Sequence, residues 1–223
     1  KLVQSLASDP DSAAYEGQIW FNSTSSDYKT IVKAAAVWAS GANINTARTQ
    51  VKGCGTNTAT LITAGQTTAY GNAPVGINES YDGSSWTEVG DLNTVRRTGA
   101  EFGTSTAAVY VGGANADGDS LGVCETWDGS SWTEVADLNT ATVHFAGAGI
   151  STAGIVSGGT RLTETETWDG SSWTEVSDLN TGRYNIGMAG KGSTTASLVF
   201  AGETPPPTAQ ALTETWDGSS WTE

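Results

Sequence analysis

One short segment occurs four times in this chain and constrains its fold more than any other feature. Each copy has an aromatic residue followed by Asp-Gly-Ser-Ser-Trp-Thr-Glu, and the copies occupy residues 81–88, 127–134, 168–175 and 216–223. The turn aspartates Asp82, Asp128, Asp169 and Asp217 are 46, 41 and 48 residues apart. Self-similarity at such an interval indicates a structural repeat, so the repeat has to be assigned before any single strand.

Two further landmarks recur in step with this segment. An Asn-Thr pair begins at Asn45, Asn93, Asn139 and Asn180, and a pair of small residues occurs at Ala64-Gly65, Gly112-Gly113, Gly158-Gly159 and Ala201-Gly202. Together they define four units at residues 45–92, 93–138, 139–179 and 180–223. The distance from the Asn to the second residue of the small pair is 20 positions in three units and 22 in the fourth, so most of the length variation falls in the connection that follows.

Each unit predicts four strands. The first is rich in small residues, as at residues 98–102 and 143–148, and the second is an apolar run that ends at the small pair. The third and fourth form a hairpin, because Asp-Gly favours the positive φ angles of a tight turn. One four-stranded sheet cannot bury both of its faces, so neighbouring units must cover it. We therefore predict an all-β fold: a β-propeller with four recognisable four-stranded blades, preceded by an N-terminal β-hairpin.

The repeat resembles the kelch repeat. The resemblance is carried by Gly112-Gly113, Trp127-Asp128 and Trp132, with equivalents in the other units, and it covers residues 45–223. It implies that the propeller is of the kelch type. The first and fourth units depart from the paired glycines of that family, because each has alanine before its glycine.

Residues 1–44 form a separate leader in this interpretation. Residues 18–39 predict a hairpin that either closes the ring or extends it, which leaves four or five blades open. The segment 9–24 is similar to one in phage tail-fibre and tail-adhesin proteins, and the repeated hairpins are similar to kelch-type proteins of tailed bacteriophages, including those of marine cyanobacteria. These resemblances imply a virion protein on the surface of an extracellular particle. They also imply many copies per particle, with other virion proteins and a host-surface glycan or receptor as partners.

Charge and hydropathy argue against two classes of partner. The chain has 24 acidic and 10 basic side chains and a formal net charge of -14, so it lacks the basic face that nucleic-acid binding needs. Its apolar runs fall short of the roughly 18 to 20 residues that span a bilayer, so we expect no membrane insertion. Two cysteines, Cys54 and Cys124, are too few for a disulfide scaffold and lack the spacing of a zinc site.

Repeated glutamates suggest a weak metal site. Symmetrical pairing about the turn sets Glu79 opposite Glu88, Glu125 opposite Glu134, Glu166 opposite Glu175, and Glu214 opposite Glu223. Paired carboxylates can hold a hard cation such as calcium, which prefers oxygen ligands. The alternatives are that the side chains extend separately into solvent at the rim, or that a bulged turn changes the register. We expect no other cofactor.

Three arginines and one histidine are the remaining chemical candidates. Arg48, Arg96 and Arg183 each lie three residues after the repeated Asn, whereas the third unit has Thr142 there. A ring of arginines can bind a sugar carboxylate or sulfate, or it can anchor the loops by hydrogen bonds. His144 aligns with the polar residues Gln50, Thr98 and Asn185, which favours a packed strand histidine over catalysis.

The variable connections predict a binding face. They span residues 66–77, 114–122, 160–162 and 203–210, and alternating strand direction brings them to the face that also carries the loops between blades. Diverse loops on a rigid scaffold are typical of binding surfaces, although neutral drift produces the same variation. The candidate ligand-binding residues in these loops are Asn115, Asp117, Asp119, Arg161 and Glu203. We expect a non-enzymatic adsorption protein. The alternatives are a secreted bacterial lectin-like or calcium-binding propeller and a glycan-active enzyme.

Overall fold

The computed structural model describes residues 4–6, 19–30, 41–67, 73–160, 163–190 and 194–223. The chain divides into two compact parts, Lys1–Gly41 and Ala42–Glu223. In the N-terminal part β2 (Ile19–Asn22) and β3 (Asp27–Thr30) form an antiparallel hairpin, as predicted, and β1 (Gln4–Leu6) pairs with β2 in parallel. The rest of the predicted hairpin, residues 31–39, lies outside the described residues.

The C-terminal part, Ala42–Glu223, contains four four-stranded antiparallel sheets, one from each of the four sequence units. Sheet I is β4 (Lys52–Thr56), β5 (Ala59–Thr63), β6 (Asn78–Tyr81) and β7 (Trp86–Val89); sheet II is β8 (Ala100–Thr104), β9 (Ala107–Val111), β10 (Cys124–Trp127) and β11 (Trp132–Glu134). Sheet III is β12 (Ala146–Ile150), β13 (Ala153–Ser157), β14 (Thr165–Trp168) and β15 (Trp173–Glu175). Sheet IV is β16 (Gly187–Ala189), β17 (Ser197–Phe200), β20 (Thr213–Trp216) and β21 (Trp221–Thr222), with a small hairpin of β18 (Glu203–Thr204) and β19 (Thr208–Ala209) inserted. The described residues contain no helix that is long and apolar enough to cross a membrane.

The outer hairpins have the predicted register. In sheet II, Trp127 pairs with Trp132 and Glu125 pairs with Glu134. The aromatic pair in each sheet has ring centroids 5.0 to 5.4 Å apart, which is within the range of favourable aromatic contacts. The repeated Asp-Gly-Ser-Ser-Trp sequence therefore encodes a repeated pair of strands.

The turn aspartate explains why this hairpin sequence is repeated so faithfully. Asp128 Oδ1 accepts hydrogen bonds from the backbone N–H and hydroxyl of Ser130 and from the backbone N–H of Ser131, all at 2.8 to 2.9 Å. Gly129 has φ +97°, a conformation that side chains disfavour. The hydrogen bonds from the backbone of Ser131 and from Ser130 lower the pKa of Asp128 to about 2. Each of the four residues in the turn thus has a structural role.

Successive sheets pack face to face. Leu61 of sheet I packs with Tyr110 and Trp127 of sheet II, and Phe102 of sheet II packs with Trp168 of sheet III. The neighbouring first strands β4, β8, β12 and β16 contact one another in that order. The arrangement is propeller-like, while ring closure and kelch type stay predictions.

The small pair has a conformational cause. Both of its residues have positive φ in every unit: the first at 58° to 75° and the second at 94° to 110°. A Cβ on Gly112 would lie 2.6 Å from the Phe145 ring, so that position also needs glycine for space. Ala64 and Ala201 occupy the same left-handed conformation at the cost of some strain.

The first strands begin later than the sequence suggested. β8 begins at Ala100 and β12 at Ala146, whereas the sequence placed their starts at residues 98 and 143. The physical reason is that Thr98 and His144 have φ of 58° and 61°, which interrupts an extended strand. This correction bears on the site, because the equivalent residues of all four units share that conformation.

Candidate functional site

A buried hydrogen-bond network joins the loop at the start of each unit to the third strand of the same unit. In the second unit, Glu125 Oε2 accepts hydrogen bonds from the backbone and side-chain nitrogens of Asn93, both at 2.8 Å, and Oε1 accepts one from Thr94 N at 3.1 Å. Arg96 Nη1 lies 2.5 Å from Glu125 Oε1, and both side chains are fully buried. Arg96 also donates to the carbonyl oxygens of Gly112 and Tyr110, each at 3.0 Å. The Asn-Thr landmark and the repeated arginine thus belong to one structural device.

The Asn–Glu hydrogen bonds recur in all four units, and the buried arginine recurs in three of them. Arg48 pairs with Glu79, and Arg183 lies 2.7 Å from Glu214, again with fully buried side chains. Burial opposes ionisation of Glu79, but hydrogen bonds from Arg48 and the loop backbone outweigh it and lower its pKa. In the third unit, Glu166 accepts hydrogen bonds from Asn139 and Thr140, and a cavity of about 10 Å³ lies where Thr142 replaces the arginine.

This placement corrects one interpretation of the sequence. Arg48, Arg96 and Arg183 do not form a ring that a ligand can reach, because their guanidinium groups are buried and bind carboxylate and carbonyl oxygens of the protein. Loop anchoring, the other role considered from the sequence, describes their contacts.

The glutamate pairs are divided between interior and solvent. Glu79, Glu125 and Glu166 are buried and their oxygens accept the hydrogen bonds just described, whereas Glu88, Glu134 and Glu175 are exposed. Among the described residues, no group of three or more His, Cys, Asp or Glu side chains is placed to hold a metal ion. The two carboxylates of a pair thus do not meet as a calcium site, because one of them is already occupied by the loop.

Three of the candidate residues of the variable loops share one turn. Asn115 and Asp119 bind each other across a tight turn, with Asn115 Nδ2 donating to Asp119 Oδ2 at 3.1 Å, and Asp117 is exposed beside them. Glu203 is half-buried and hydrogen-bonds the Tyr184 side chain, while Arg161 lies outside the described residues.

The loops between units meet the variable loops on one face, as the strand directions predicted. Backbone bridges join Thr49 to Gln66, Arg97 to Ala114 and Tyr184 to Glu203. In the third unit the Thr160 nitrogen donates to the Val143 carbonyl at 3.0 Å. The candidate site contains the residue that follows each of the first-named partners, Thr49, Arg97, Val143 and Tyr184.

One left-handed residue from each unit borders a single cavity. These residues are Gln50, Thr98, His144 and Asn185, with φ of 58°, 58°, 61° and 54°. With Lys52, Phe145 and Ile186 they line a space of about 360 Å³, called the inner cavity below. Backbone hydrogen bonds connect neighbours around it, from His144 N to the Thr98 oxygen at 3.2 Å and from Asn185 N to the His144 oxygen at 2.8 Å.

Backbone strain concentrates at these four residues, called the rim of the inner cavity below. A non-glycine residue in the left-handed region costs on the order of 1 to 3 kcal/mol, and such strain clusters at functional sites. Thr98 is a β-branched residue, for which the conformation is especially unfavourable. Glycine would relieve the strain at all four positions, yet each of them carries a polar side chain.

Positive charge gathers around the single histidine. Burial lowers the pKa of His144, and the nearby charges of Lys52 and Arg97 lower it further. A hydrogen bond with Asn185 and the charge of Glu203 act in the opposite direction without reversing the shift. His144 is therefore neutral at pH 7 and gains a proton only below its ordinary value of 6.5.

A buried acid lies between sheets I and II, next to Lys52. Burial raises the pKa of Glu101 to about 8, although hydrogen bonds with Thr63 and Cys54 and the Lys52 charge partly offset that effect. The Thr63 hydroxyl lies 2.9 Å from both Glu101 Oε1 and Asn78 Oδ1. Because that hydroxyl has only one proton to donate, a protonated Glu101 that donates from Oε1 to Thr63 leaves the hydroxyl free to donate to Asn78 Oδ1.

The opposite end of the first strands has a different character. A second cavity of about 570 Å³ there is lined by Gly55, Gly103, Gly149 and Gly190, together with small hydroxyl residues, Ala59 and Ile150. No charged side chain borders it among the described residues. Of these two cavities, only the inner cavity has a charged side chain, Lys52, among the described residues that line it.

The inner cavity has the properties of a small polar-ligand site. It combines amides, a hydroxyl, an imidazole and an ammonium group above the apolar Phe145 and Ile186, and its volume falls in the range of small-molecule pockets, roughly 300 to 1,000 Å³. The thiols of Cys54 and Cys124 are free, and burial raises the pKa of both, which disfavours the thiolate.

No protein-family model matches this chain, and no curated protein matches it significantly.

The sequence indicated only part of this site. The alignment of Gln50, Thr98, His144 and Asn185 was visible once the units were superposed, but it gave no sign of the positive φ angles. No sequence pattern marked Lys52 as a candidate, because the equivalent residues Ala100, Ala146 and Gly187 are uncharged.

Proposed function

We propose that this chain is a non-enzymatic binding protein of a tailed-phage virion, which uses the inner cavity and the loops around it to bind a host-surface glycan or another virion protein. The observation that carries the proposal is the set of four strained polar residues, one from each unit, around one cavity. Strain of this kind is retained where a surface needs particular side chains in particular places.

The contrast between framework and face supports binding as the role. The buried Glu and Asn, the outer aromatic pair and the Asp turn recur in all four units, so they hold the sheets. The rim residues differ from unit to unit, and so do the loops outside them. A constant scaffold with a varied face is the usual arrangement of a recognition protein.

Display on a virion rests on the sequence resemblance of the leader and of the repeated hairpins to phage proteins. Many copies on one particle strengthen a weak single site, because a second contact becomes an intramolecular event. Affinity for each site in the millimolar range is therefore compatible with firm attachment of the particle.

A glycan-active enzyme is the second candidate, and one contact favours it. Tyr184 hydrogen-bonds Glu203, whose charge acts on His144 of the inner cavity, and a tyrosine–carboxylate pair can serve as a nucleophile toward sugars. Desolvation and Glu203 raise the pKa of Tyr184, however, which disfavours its ionised form. Release of 4-methylumbelliferone from glycosides of acidic sugars, abolished by Tyr184→Phe, would establish this candidate in place of the first.

A glycan array tests the binding proposal. The full chain is displayed on streptavidin tetramers, so that weak sites act together, and is applied to neutral and acidic glycans and to immobilised host-cell envelopes. The double variant Gln50→Ala with Asn185→Ala should lose binding, whereas Thr133→Ala with Thr174→Ala, on the exposed outer strands, should retain it. Binding to the host surface is refuted if the tetramer binds neither glycans nor envelopes, and the assignment of the inner cavity is refuted if both variants bind like the parent.

A further inference from the structure

Three of the four units share a buried cation that the third unit lacks at the equivalent position. The guanidinium groups of Arg48, Arg96 and Arg183 each pair with a buried glutamate. The equivalent residue of the third unit is Thr142, an uncharged side chain that is only 7% exposed. The third unit nevertheless has the acid of the pair, Glu166, and that residue is buried as well.

The repeat also fixes the other oxygen atoms that bind the arginine. In each of the three units the guanidinium group donates to the carbonyl oxygen of the threonine in the Asn-Thr pair and to that of the first residue in the small pair. These hydrogen bonds are 2.7 to 3.2 Å long, and their acceptors are Thr46, Ala64, Thr94, Gly112, Thr181 and Ala201. The equivalent residues of the third unit are Thr140 and Gly158. Both line the cavity of about 10 Å³ together with Thr142 and Glu166, and this space is called the third-unit cavity below.

The Glu166 carboxylate has hydrogen-bond donors but no cation of the protein beside it. It accepts from the backbone and side-chain nitrogens of Asn139 at 3.0 and 2.8 Å and from Thr140 N at 3.0 Å, which matches an ionised group that only accepts. The equivalent hydrogen bonds in the second unit occur together with the arginine, so they do not replace it. In the described part of the chain, none of the ion pairs includes Glu166. A buried carboxylate without a counter-charge is unfavourable, so this position favours a cation from solution.

The size and the ligands of the third-unit cavity limit the choice of cation. A volume of about 10 Å³ has room for about one particle of the size of a water molecule. Carboxylate, carbonyl and hydroxyl oxygens are the ligands of hard cations, and one buried carboxylate balances a single positive charge. Glu164 also lines the cavity, but it is only half-buried, so its charge remains within reach of solvent.

We propose that the third unit binds a dehydrated sodium or potassium ion in this cavity, where the ion takes the place of the arginine side chain of the other units. Its ligands are Glu166 Oε1 and the carbonyl oxygens of Thr140 and Gly158. This site differs from a pair of carboxylates across the hairpin, because Glu175 is exposed and takes no part in it. Phe145 lines both the third-unit cavity and the inner cavity, so the ion also stabilises the loop that leads to the rim. The inference does not depend on the proposed glycan binding.

Urea unfolding of the full chain at pH 7 tests for the ion. Sodium, potassium and choline chlorides are compared at equal ionic strength, because any salt screens the repulsion in a chain of net charge -14. At about 150 mM, sodium or potassium should raise the folding equilibrium constant about tenfold above choline, as mass action requires for a Kd of about 15 mM. Equal stability in the three salts overturns the proposal. Stabilisation by calcium chloride alone overturns the assignment of a monovalent ion.

Three variants locate the ion. Thr142→Arg copies the other units, and its guanidinium group should fill the cavity and remove the difference between the salts. Glu166→Gln should remove the difference by taking away the charged ligand. Glu175→Gln is the matched control, since it removes the same charge from the exposed partner of Glu166 across the hairpin, and it should keep the difference. If Glu166→Gln does not fold, Thr142→Arg decides the test, and a salt difference that persists in Thr142→Arg overturns the site.

¹H–¹⁵N NMR provides a local readout with an internal control. When sodium or potassium is titrated into the protein in choline chloride, the side-chain amide signal of Asn139 and the backbone signal of Thr140 should shift. The equivalent signals of Asn93 and Thr94 should stay in place, because Arg96 already occupies their site. Equal shifts in both units indicate a general salt effect and overturn the proposal.

Arg161 is a second possible source of positive charge in the third unit. It belongs to the variable connection at residues 160–162 and lies outside the described residues. Arg161→Gln should therefore keep the salt difference of the parent. A salt difference that appears only in Arg161→Gln shows that the chain supplies its own cation, and it overturns the proposal.

Discussion

Glu101 provides a quantitative test of the packing between sheets I and II. In the unfolded chain this carboxyl ionises near 4.5, whereas burial raises its pKa to about 8 in the folded protein. Between those values the folded state holds a proton that the unfolded state has lost, so stability falls as the pH rises. At about 1.4 kcal/mol for each tenfold change in an equilibrium constant, the loss from pH 4 to pH 9 approaches about 5 kcal/mol.

Glu101→Gln isolates this contribution. Glutamine resembles the protonated acid in shape and hydrogen bonding, so the variant and the parent should have similar stability at pH 5. At pH 9 the variant should be more stable by several kcal/mol, because it has no buried charge to form. Urea unfolding, followed by tryptophan fluorescence and circular dichroism from pH 5 to pH 9, measures the difference.

Glu88→Gln is the matched control, since Glu88 is exposed on β7 and its replacement removes the same charge from the chain. The control should follow the parent at every pH, apart from a small constant offset. A difference between Glu101→Gln and the parent that is equal at pH 5 and pH 9 would refute a protonated Glu101 in the folded state.

Three further substitutions test the framework and the rim by urea unfolding. Arg96→Thr copies the third unit and should destabilise the protein by about 3 kcal/mol, because it leaves the buried Glu125 without its cation; a loss below about 1 kcal/mol would contradict the structural role of the pair. Gly154→Ala should cost about 1 to 3 kcal/mol by overpacking, because the new Cβ would lie 2.4 Å from the Phe102 ring; retention of parental stability would show that the sheets are packed more loosely. Thr98→Gly should stabilise the protein by about 1 kcal/mol by relieving a positive φ, and a clear loss of stability would show that the threonine side chain, rather than its strain, dominates at the rim.

The sequence predicted the elements that are copied and missed those that are not. Identical hairpins contain the information for their own register, so the pairing of Trp127 with Trp132 followed from symmetry about the turn. The starts of the first strands did not follow, because polar residues such as Thr98 give no local warning of a left-handed conformation that tertiary contacts impose.

The candidate site was harder to predict for a related reason. The spacing of Arg96 from Asn93 revealed that the arginine belongs to the repeat, but spacing does not distinguish a buried anchor from an exposed ligand. That distinction depends on Glu125, which lies 29 residues further along the chain. Lys52 became a candidate only when the fold placed it in the lining of the inner cavity, since the equivalent residues of the other units are uncharged.

The buried network that joins the first loop of each unit to its third strand also has a kinetic consequence. The paired Asn and Glu side chains are separated by only 27 to 34 residues in every unit, so each pair closes a loop within one repeat. Contacts of this range carry a modest loop-closure entropy, and the long-range part of the fold is limited to packing between adjacent repeats. Folding can therefore start in any of the four repeats and spread to its neighbours, and native-state hydrogen exchange should divide the protein into units whose boundaries lie near Asn93, Asn139 and Asn180.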